Sequence, residues 1–164
     1  MANSVTHIIL VIFLLDLLRH YVFGKEKFPR YLVVIGGIAG LGPDIDVPLT
    51  LVYQFFTSSA TDLHGLFTHS IFFVLLFVII AALFHSRNSM KWAKIFYVIS
   101  AGWFMHLILD CLYGGYKTFF WPLQYASSFC PQWGIQGHAV EIDAIILVLW
   151  LIHEEVHQKI KDYF

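Results

Sequence analysis

The apolar residues of this chain are concentrated in long runs that almost lack charge. Four such runs cover residues 5–23, 66–84, 95–113 and 139–152. A helix needs about 20 predominantly apolar residues to cross the roughly 30 Å hydrocarbon core of a bilayer. The first three runs have 19 residues each, and the last has 14. A further apolar segment, residues 31–56, starts with a helical pattern and is then interrupted. The pattern therefore predicts an all-α, polytopic membrane helix bundle with about five transmembrane segments.

The second of these segments is predicted to be broken between Pro43 and Pro48. Each proline removes a backbone donor and disfavours helical backbone in the residue before it. Irregular backbone at membrane depth is found where protein or a water-filled cavity surrounds it. We therefore expect the break, which contains Asp44 and Asp46, to line a site. The alternative is an ordinary turn outside the membrane.

Composition and charge agree with a membrane protein. The chain is 59% hydrophobic and 13% charged, whereas soluble domains carry about 25% charged residues. A net charge of −1 without a basic block gives no indication of nucleic-acid binding. Lysines and arginines follow the first, third and last helices, so the positive-inside rule predicts an outside N-terminus and a cytoplasmic C-terminus. Residues 1–164 are expected to form a single integral membrane domain.

On this topology, imidazoles and carboxylates from all five segments fall in the outer half of the bundle. His106 and Asp110, four residues apart, share one helix face. Any one such histidine is ordinarily explained by packing and hydrogen bonding, but the convergence of many favours a metal site. The candidate metal ligands are His7, Asp44, Asp46, His64, His69, His106, Asp110 and Asp143, with His138 and Glu141 as weaker candidates.

Energetics also favour a bound cation. A charged aspartate at the centre of a membrane helix costs about 2.5–3.5 kcal/mol, and such residues usually mark function. Mixed histidine and aspartate ligation suits zinc, manganese or iron better than calcium or magnesium. The ligands are too many for one tetrahedral ion. We therefore expect a divalent metal cofactor, with zinc favoured, and two or three ions.

A different motif stands near the C-terminus, where the chain reads HEEVH. His153 and His157 are one helical turn apart and Glu154 takes the position of the base, as in zinc peptidases. The predicted topology places this motif at the cytoplasmic end of the last helix, across the bilayer from the other candidates. A catalytic zinc also requires a third protein ligand. We interpret the motif as the polar end of a helix, with a zinc peptidase as the least favoured alternative.

An ion or metal transporter is the other alternative. Intramembrane aspartates and histidines mark ion pathways, and broken helices occur in transporters. No inverted repeat is apparent between the two halves of the chain, however, and few polar residues beyond Asp16 and His20 continue toward the cytoplasmic side. Asp16 and Arg19, three residues apart, can pair, or Arg19 can extend to the nearer membrane surface; His20 and His85 are predicted to be bystanders.

Five short motifs carry a resemblance to a known family. In chain order they are THII, GPDID, HGLFTHS, HLILD and FFWPL, between residue 6 and residue 123. In this combination the chain resembles the YdjM-like inner-membrane metal-dependent hydrolases, a family that looks related to zinc phospholipase C and P1 nuclease. The resemblance implies phosphoester hydrolysis at a zinc cluster, with metal ligands at His7, Asp44, Asp46, His64, His69, His106 and Asp110 and with Asp143 as a plausible last element.

The chain departs from the family pattern at Gly65, where the family usually has arginine. If that arginine binds an anionic substrate group, another cation must replace it, and Lys117 is the candidate substrate-binding residue. Asp44 or Asp46 is the candidate general base that activates water. The loop between the last two helices is rich in aromatic residues that suit a membrane interface. A phospholipid or other lipid phosphoester, reached from the extracytoplasmic leaflet, is therefore the expected substrate.

Three questions are left open by the sequence. Cys111 and Cys130 both fall on the predicted outer side, and their spacing alone does not decide whether they form a disulfide. Neither the oligomeric state nor the identity of the lipid is indicated.

Overall fold

The computed structural model describes residues 4–58, 60–65, 67–113, 118–123, 130 and 135–158. The regular structure of these residues is helical and includes no strand, which confirms the predicted all-α class. The α-helices are α1 (Ser4–Leu18), α2 (Arg30–Ala39), α3 (Asp46–Thr57), α4 (Ile71–Ser86), α5 (Met90–Leu112) and α6 (Ala139–Gln158). Shorter helical turns are a π-helical turn at Arg19–Phe23 and 3-10 turns at Pro43–Ile45 and Ile135–His138.

Among the described residues, helix length and composition support two or three membrane spans. Ser4–Phe23, which is α1 with its π-helical turn, and α5 are each long and apolar enough to cross a bilayer. A third span is reached if α2 and Pro43–Thr57 count as one broken helix. The predicted number of about five is therefore not confirmed. Helix α4 has 16 residues and rises about 24 Å, and α6 carries Asp143 and Glu154 toward its two ends.

The interruption of the second segment lies just before the predicted break, because residues 43–48, which the sequence analysis assigns to the break, are helical. Helix α2 ends at Ala39, helical geometry resumes at Pro43–Ile45, and the two parts meet at an angle of 49°. Pro48 lies within the first turn of α3. Backbone N–H groups in a first turn have no intrahelical acceptor, so proline is tolerated there. The irregular backbone is therefore confined to residues 40–42.

Helix α2 packs closely against α1 and α5 because glycine occupies the contact points. A Cβ atom at Gly102 of α5 would lie 2.6 Å from the carbonyl oxygen of Gly36. A Cβ atom at Gly40 would lie 2.6 Å from the carbonyl oxygen of His7. Small residues at such contacts are typical of membrane helices, which associate through close packing. The buried apolar core between these helices comprises Val11, Leu15, Phe28, Leu32, Val33 and Val98.

Polar contacts fix the loop that precedes α4. Trp103 of α5 donates its indole N–H to the carbonyl oxygen of Thr68 at 2.9 Å. Ser70 accepts the N–H of Phe72 as the N-cap of α4 and donates its hydroxyl to the carbonyl oxygen of Trp121 at 2.9 Å. The loop that contains His69 is therefore held between α5 and residues 118–123.

A disulfide joins Cys111, in the last turn of α5, to Cys130, with the two Cα atoms 4.9 Å apart. This answers the question that the spacing of the cysteines leaves open. Cys111 directly follows Asp110, so the disulfide lies beside one of the predicted metal ligands.

We predict that Gly102→Ala destabilises the protein by about 1–3 kcal/mol, the usual cost of overpacking a filled interior. The added methyl group would meet the carbonyl oxygen of Gly36, which cannot move without distorting α2. Thermal unfolding of the detergent-purified protein measures the effect. Gly137→Ala is the matched control, because a Cβ atom there has no neighbour within 4 Å. Equal melting temperatures for the two variants would contradict the proposed close packing.

Candidate metal centre

Seven of the eight predicted ligands lie together where the first turns of α1 meet the last turns of α5. They come from five separate parts of the chain and are mostly inaccessible to solvent. We call this group the seven-residue cluster: His7 from α1, Asp44 from the 3-10 turn, Asp46 from the start of α3, His64 and His69 from the loop before α4, and His106 and Asp110 from α5.

Four ligand-type atoms form a compact group at its centre. The Nε2 atoms of His69 and His106 are 3.2 Å apart. Each of these nitrogens lies 3.5 Å from Asp44 Oδ1 and 3.5 Å from Asp110 Oδ2. Atoms that bind a tetrahedral zinc ion at about 2.0–2.1 Å are separated from one another by about 3.3 Å. The five distances therefore fit the edges of a tetrahedral site.

Hydrogen bonds to the opposite ring nitrogens orient both imidazoles. His106 Nδ1 donates to the carbonyl oxygen of Gly40 at 2.7 Å, and because a carbonyl oxygen only accepts, the proton is on Nδ1. His69 Nδ1 lies 3.0 Å from Asp46 Oδ2. Both Nε2 atoms then carry lone pairs directed at each other, which is unfavourable unless a proton or a cation lies between them. Metal-binding histidines are typically oriented by such partners.

Asp46 has the contacts of a supporting residue. It is fully buried, and its Oδ2 accepts the hydroxyl of Thr68 at 2.6 Å and the N–H of Gly65 at 2.9 Å. Its Oδ1 lies 2.7 Å from His64 Nδ1. Together with the contact to His69, these interactions occupy both carboxylate oxygens. Asp46 therefore positions two histidines, whereas Asp44, whose side chain is 22% exposed, is the more accessible carboxylate.

The glycine that departs from the family pattern has a conformational reason in this chain. Gly65 has a φ angle of +78°, in the left-handed region that favours glycine. This conformation directs its N–H to Asp46 Oδ2 and its carbonyl oxygen to the hydroxyl of Thr118 at 3.0 Å. Gly65 thus helps to hold the segment between His64 and His69 against Asp46.

A second group of ligand atoms adjoins the first. His7, His106 and Asp110 offer atoms that all lie within 4.8 Å of one another, and Asp44, His64 and His69 form another such group. His7 Nε2 lies 3.6 Å from Asp110 Oδ1, while Asp110 Oδ2 faces His69 and His106. The two oxygens of Asp110 therefore face different histidines, as in carboxylates that bridge two cations. The arrangement fits more than one ion.

The remaining predicted site residues are placed differently. Asp143 accepts a hydrogen bond from the hydroxyl of buried Thr6, next to His7, and so joins α6 to α1 beside the cluster. His138 and Glu141 are exposed. Lys117, the predicted substrate-binding residue, lies outside the described residues, and its role stays a prediction.

An apolar cleft of about 510 Å³ reaches the cluster from the side of the bundle. Asp44 contributes a carboxylate to its wall. The surrounding side chains include Ile8, Ile38, Leu41, Ile45 and Val47. The cleft therefore combines a hydrocarbon-compatible wall with access to one carboxylate of the cluster.

The H-E-x-x-H motif lies in a separate polar group at the other end of α1, which we call the Asp16 cluster: Asp16, His20, His153 and His157. His153 Nδ1 lies 3.1 Å from Asp16 Oδ2, and the His20 ring centroid is 4.9 Å from that of His153 and 4.7 Å from that of His157. Asp16 pairs with Arg19, which is one of the two expected arrangements, with Arg19 Nη1 3.4 Å from Asp16 Oδ1. The sequence-based interpretation of His20 as a bystander did not anticipate these ring contacts. The four-residue spacing of Asp16 and His20, like that of His153 and His157, is the signal that could have indicated this.

Comparison with known proteins agrees with a membrane location. No curated protein and no solved structure gave a significant match. A family model described as YdjM inner membrane protein matches residues 1–161, which is nearly the whole chain. Its description and the long apolar helices both indicate an inner-membrane protein. The chain therefore belongs to the YdjM inner membrane protein family.

Proposed function

We propose that this protein is a membrane-embedded, metal-dependent hydrolase that cleaves a phosphoester bond of a lipid. The observation that carries the proposal is the group of four atoms from His69, His106, Asp44 and Asp110, whose separations fit a tetrahedral zinc site. Zinc, in two or three ions, is the proposed cofactor. Divalent cations held in this way supply Lewis acidity toward phosphoryl oxygens and make water more acidic.

Asp44 and Asp46 have different roles in the proposed reaction. Asp44 is the candidate general base, because it is the more exposed carboxylate and lines the cleft. Since its Oδ1 belongs to the four-atom group, the proton would be taken by its other oxygen, Oδ2. It would accept a proton from the attacking water as the water oxygen bonds to phosphorus, and return it to the leaving oxygen as the phosphoester bond breaks. Asp46 would hold His64 and His69 in place throughout.

A lipid substrate is favoured over a soluble one by the wall of the cleft. Isoleucine, leucine and valine side chains surround Asp44 there and would accommodate hydrocarbon chains. A phosphoester near Asp44 would lie close to the N-terminal end of α1, where we expect the lipid headgroups of the membrane. We propose that the substrate is a membrane phospholipid or another lipid carrying a phosphoester.

The proposed orientation places the seven-residue cluster toward the outer face. Lysines and arginines flank the opposite helix ends, which favours a cytoplasmic location for those ends. The disulfide next to Asp110 is an independent argument, because disulfides form and persist on the oxidising side of an inner membrane. The N-terminus would then lie outside and the C-terminus in the cytoplasm.

A metal transporter is the second candidate, and one observation favours it: the Asp16 cluster provides ligand-type residues at the other end of α1. Between the two clusters, however, the buried core residues include Val11, Leu15, Leu32 and Val33, which offer no ligand to a moving ion. Zinc flux into sealed vesicles distinguishes the candidates. A hydrolase leaves flux at the level of empty vesicles, whereas a transporter raises it.

The proposal predicts the metal content of the purified protein. Protein purified in detergent without chelators should contain at least two equivalents of zinc by elemental analysis. The His106→Ala variant should lose at least one zinc equivalent, because His106 Nε2 is one of the four atoms of the tetrahedral group. His85→Ala is the matched control, since His85 is exposed at the C-terminal end of α4. Folded wild-type protein that binds no zinc when zinc is supplied would overturn the proposal.

The proposal also predicts how a substitution at Asp44 changes the rate of turnover. Asp44→Asn should lower kcat for a lipid phosphoester in mixed micelles by about 10²–10⁴-fold, the usual contribution of a general base. Release of phosphate or a phosphorylated headgroup measures the rate, and Glu26→Gln, at an exposed position outside the cluster, is the control. Wild-type turnover by a metal-loaded Asp44→Asn variant would rule out Asp44 as the base.

A further inference from the structure

The Asp16 cluster contains buried polar atoms for which the described residues provide no hydrogen bond. His153 is 8% exposed and Asp16 is 1% exposed. Within the part of the chain that the structure describes, the two ring nitrogens of His153 and Asp16 Oδ2 make no hydrogen bond. His153 Nδ1 and Asp16 Oδ2 are nevertheless 3.1 Å apart. Buried polar atoms are nearly always satisfied, so such a group indicates a missing partner such as a water or an ion.

The donors of this group are arranged as metal ligands are. Asp16, His20 and His153 each offer a ligand atom, and these atoms all lie within 4.8 Å of one another. His20 Nδ1 donates to the carbonyl oxygen of Asp16 at 2.9 Å, which puts the lone pair on Nε2. His106 in the seven-residue cluster is oriented by a backbone carbonyl in the same way.

Local backbone geometry and a second hydrogen bond support the arrangement. His20 lies in the π-helical turn that continues α1, and such turns are frequent at functional sites. The ring of His157 lies 4.5 Å from that of His153, between centroids, and its Nε2 is 2.8 Å from the hydroxyl of Tyr21. The imidazole of His157 is therefore available as a fourth ligand next to the first three.

An ion pair alone does not account for the cluster. Arg19 Nη1 lies 3.4 Å from Asp16 Oδ1 and 3.5 Å from His20 Nε2, so it partly balances the charge of Asp16. The carboxyl group of Glu154 also adjoins that of Asp16. By hydrogen-bond geometry, Asp16 Oδ2 and both ring nitrogens of His153 still have no partner among the described residues. These are the atoms that a cation would satisfy.

We propose that the Asp16 cluster is a second metal site, separate from the seven-residue cluster, which holds one divalent ion of the zinc type and fastens α6 to α1. Two imidazoles and one carboxylate are ligands that suit zinc. The separation follows from α1 itself: Asp16 is nine residues after His7, which is two and a half turns, roughly 13 Å along the axis and on the opposite face.

This site is not that of a zinc peptidase. In that mechanism Glu154 would serve as the base. Here the Glu154 carboxylate is paired with Arg30 at 2.5 Å and is buried. The ion would therefore have a structural role, joining the first and last described helices, and its loss would loosen α6.

Metal content of the full-length protein tests the inference. We expect His153→Ala to bind one equivalent of zinc less than wild type by elemental analysis, while Val156→Ala, at an exposed position of the same helix, binds as much as wild type. Both proteins are also reloaded with Co²⁺. If the Asp16 cluster binds metal, the spectrum of wild type minus that of His153→Ala should show the visible absorption of the cobalt bound there.

The outcomes are distinguishable from those of the proposed hydrolase. His106→Ala removes ions from the seven-residue cluster and should leave the ion of the Asp16 cluster bound. If His153→Ala does not fold, Asp16→Asn, which keeps the shape of the side chain, makes the same comparison. Unchanged zinc content in the folded variant, with a flat cobalt difference spectrum, would overturn the second site without affecting the first.

Discussion

Burial of carboxylates among imidazoles in an apolar bundle is the constraint on which the site depends. Asp46 has no exposed surface and is surrounded by the N–H of Gly65, the hydroxyl of Thr68 and the rings of His64 and His69. An unpaired carboxylate in such surroundings would be strongly unfavourable. Because its partners all come from one short loop, the start of α3 and the start of α4 are fixed relative to each other by a single side chain.

Much of the site was accessible from the sequence because helical spacing and local motifs encode it. His106 and Asp110 share a face by their spacing alone. The prolines indicated an interruption nearby, but helical structure begins at Pro43 and the irregular backbone precedes it, at residues 40–42. The predicted number of about five spans is not confirmed, since α4 ends after 16 residues, which hydropathy does not reveal. The hydrogen bond from His106 to the carbonyl oxygen of Gly40 could not be predicted from the sequence either, because it forms only when α2 packs against α5.

The role of His20 illustrates a different limit. Its position near a charged helix end has an ordinary explanation, and the partner that changes the interpretation, His153, is more than 130 positions away in the chain. The π-helical turn adds a rotation that regular α-helical periodicity does not describe. Contacts between the first and last helices of a bundle therefore need coordinates, whereas contacts within one helix do not.

The carbonyl oxygen of Gly40 links the length of α2 to the chemistry of the cluster. This residue follows the last turn of α2, where carbonyl groups lack intrahelical partners, and it accepts the Nδ1 proton of His106. One residue added to or removed from α2 would rotate that oxygen by about 100° around the helix axis. Among related chains, insertions and deletions in this helix should consequently be tolerated far less than substitutions on its lipid-facing side.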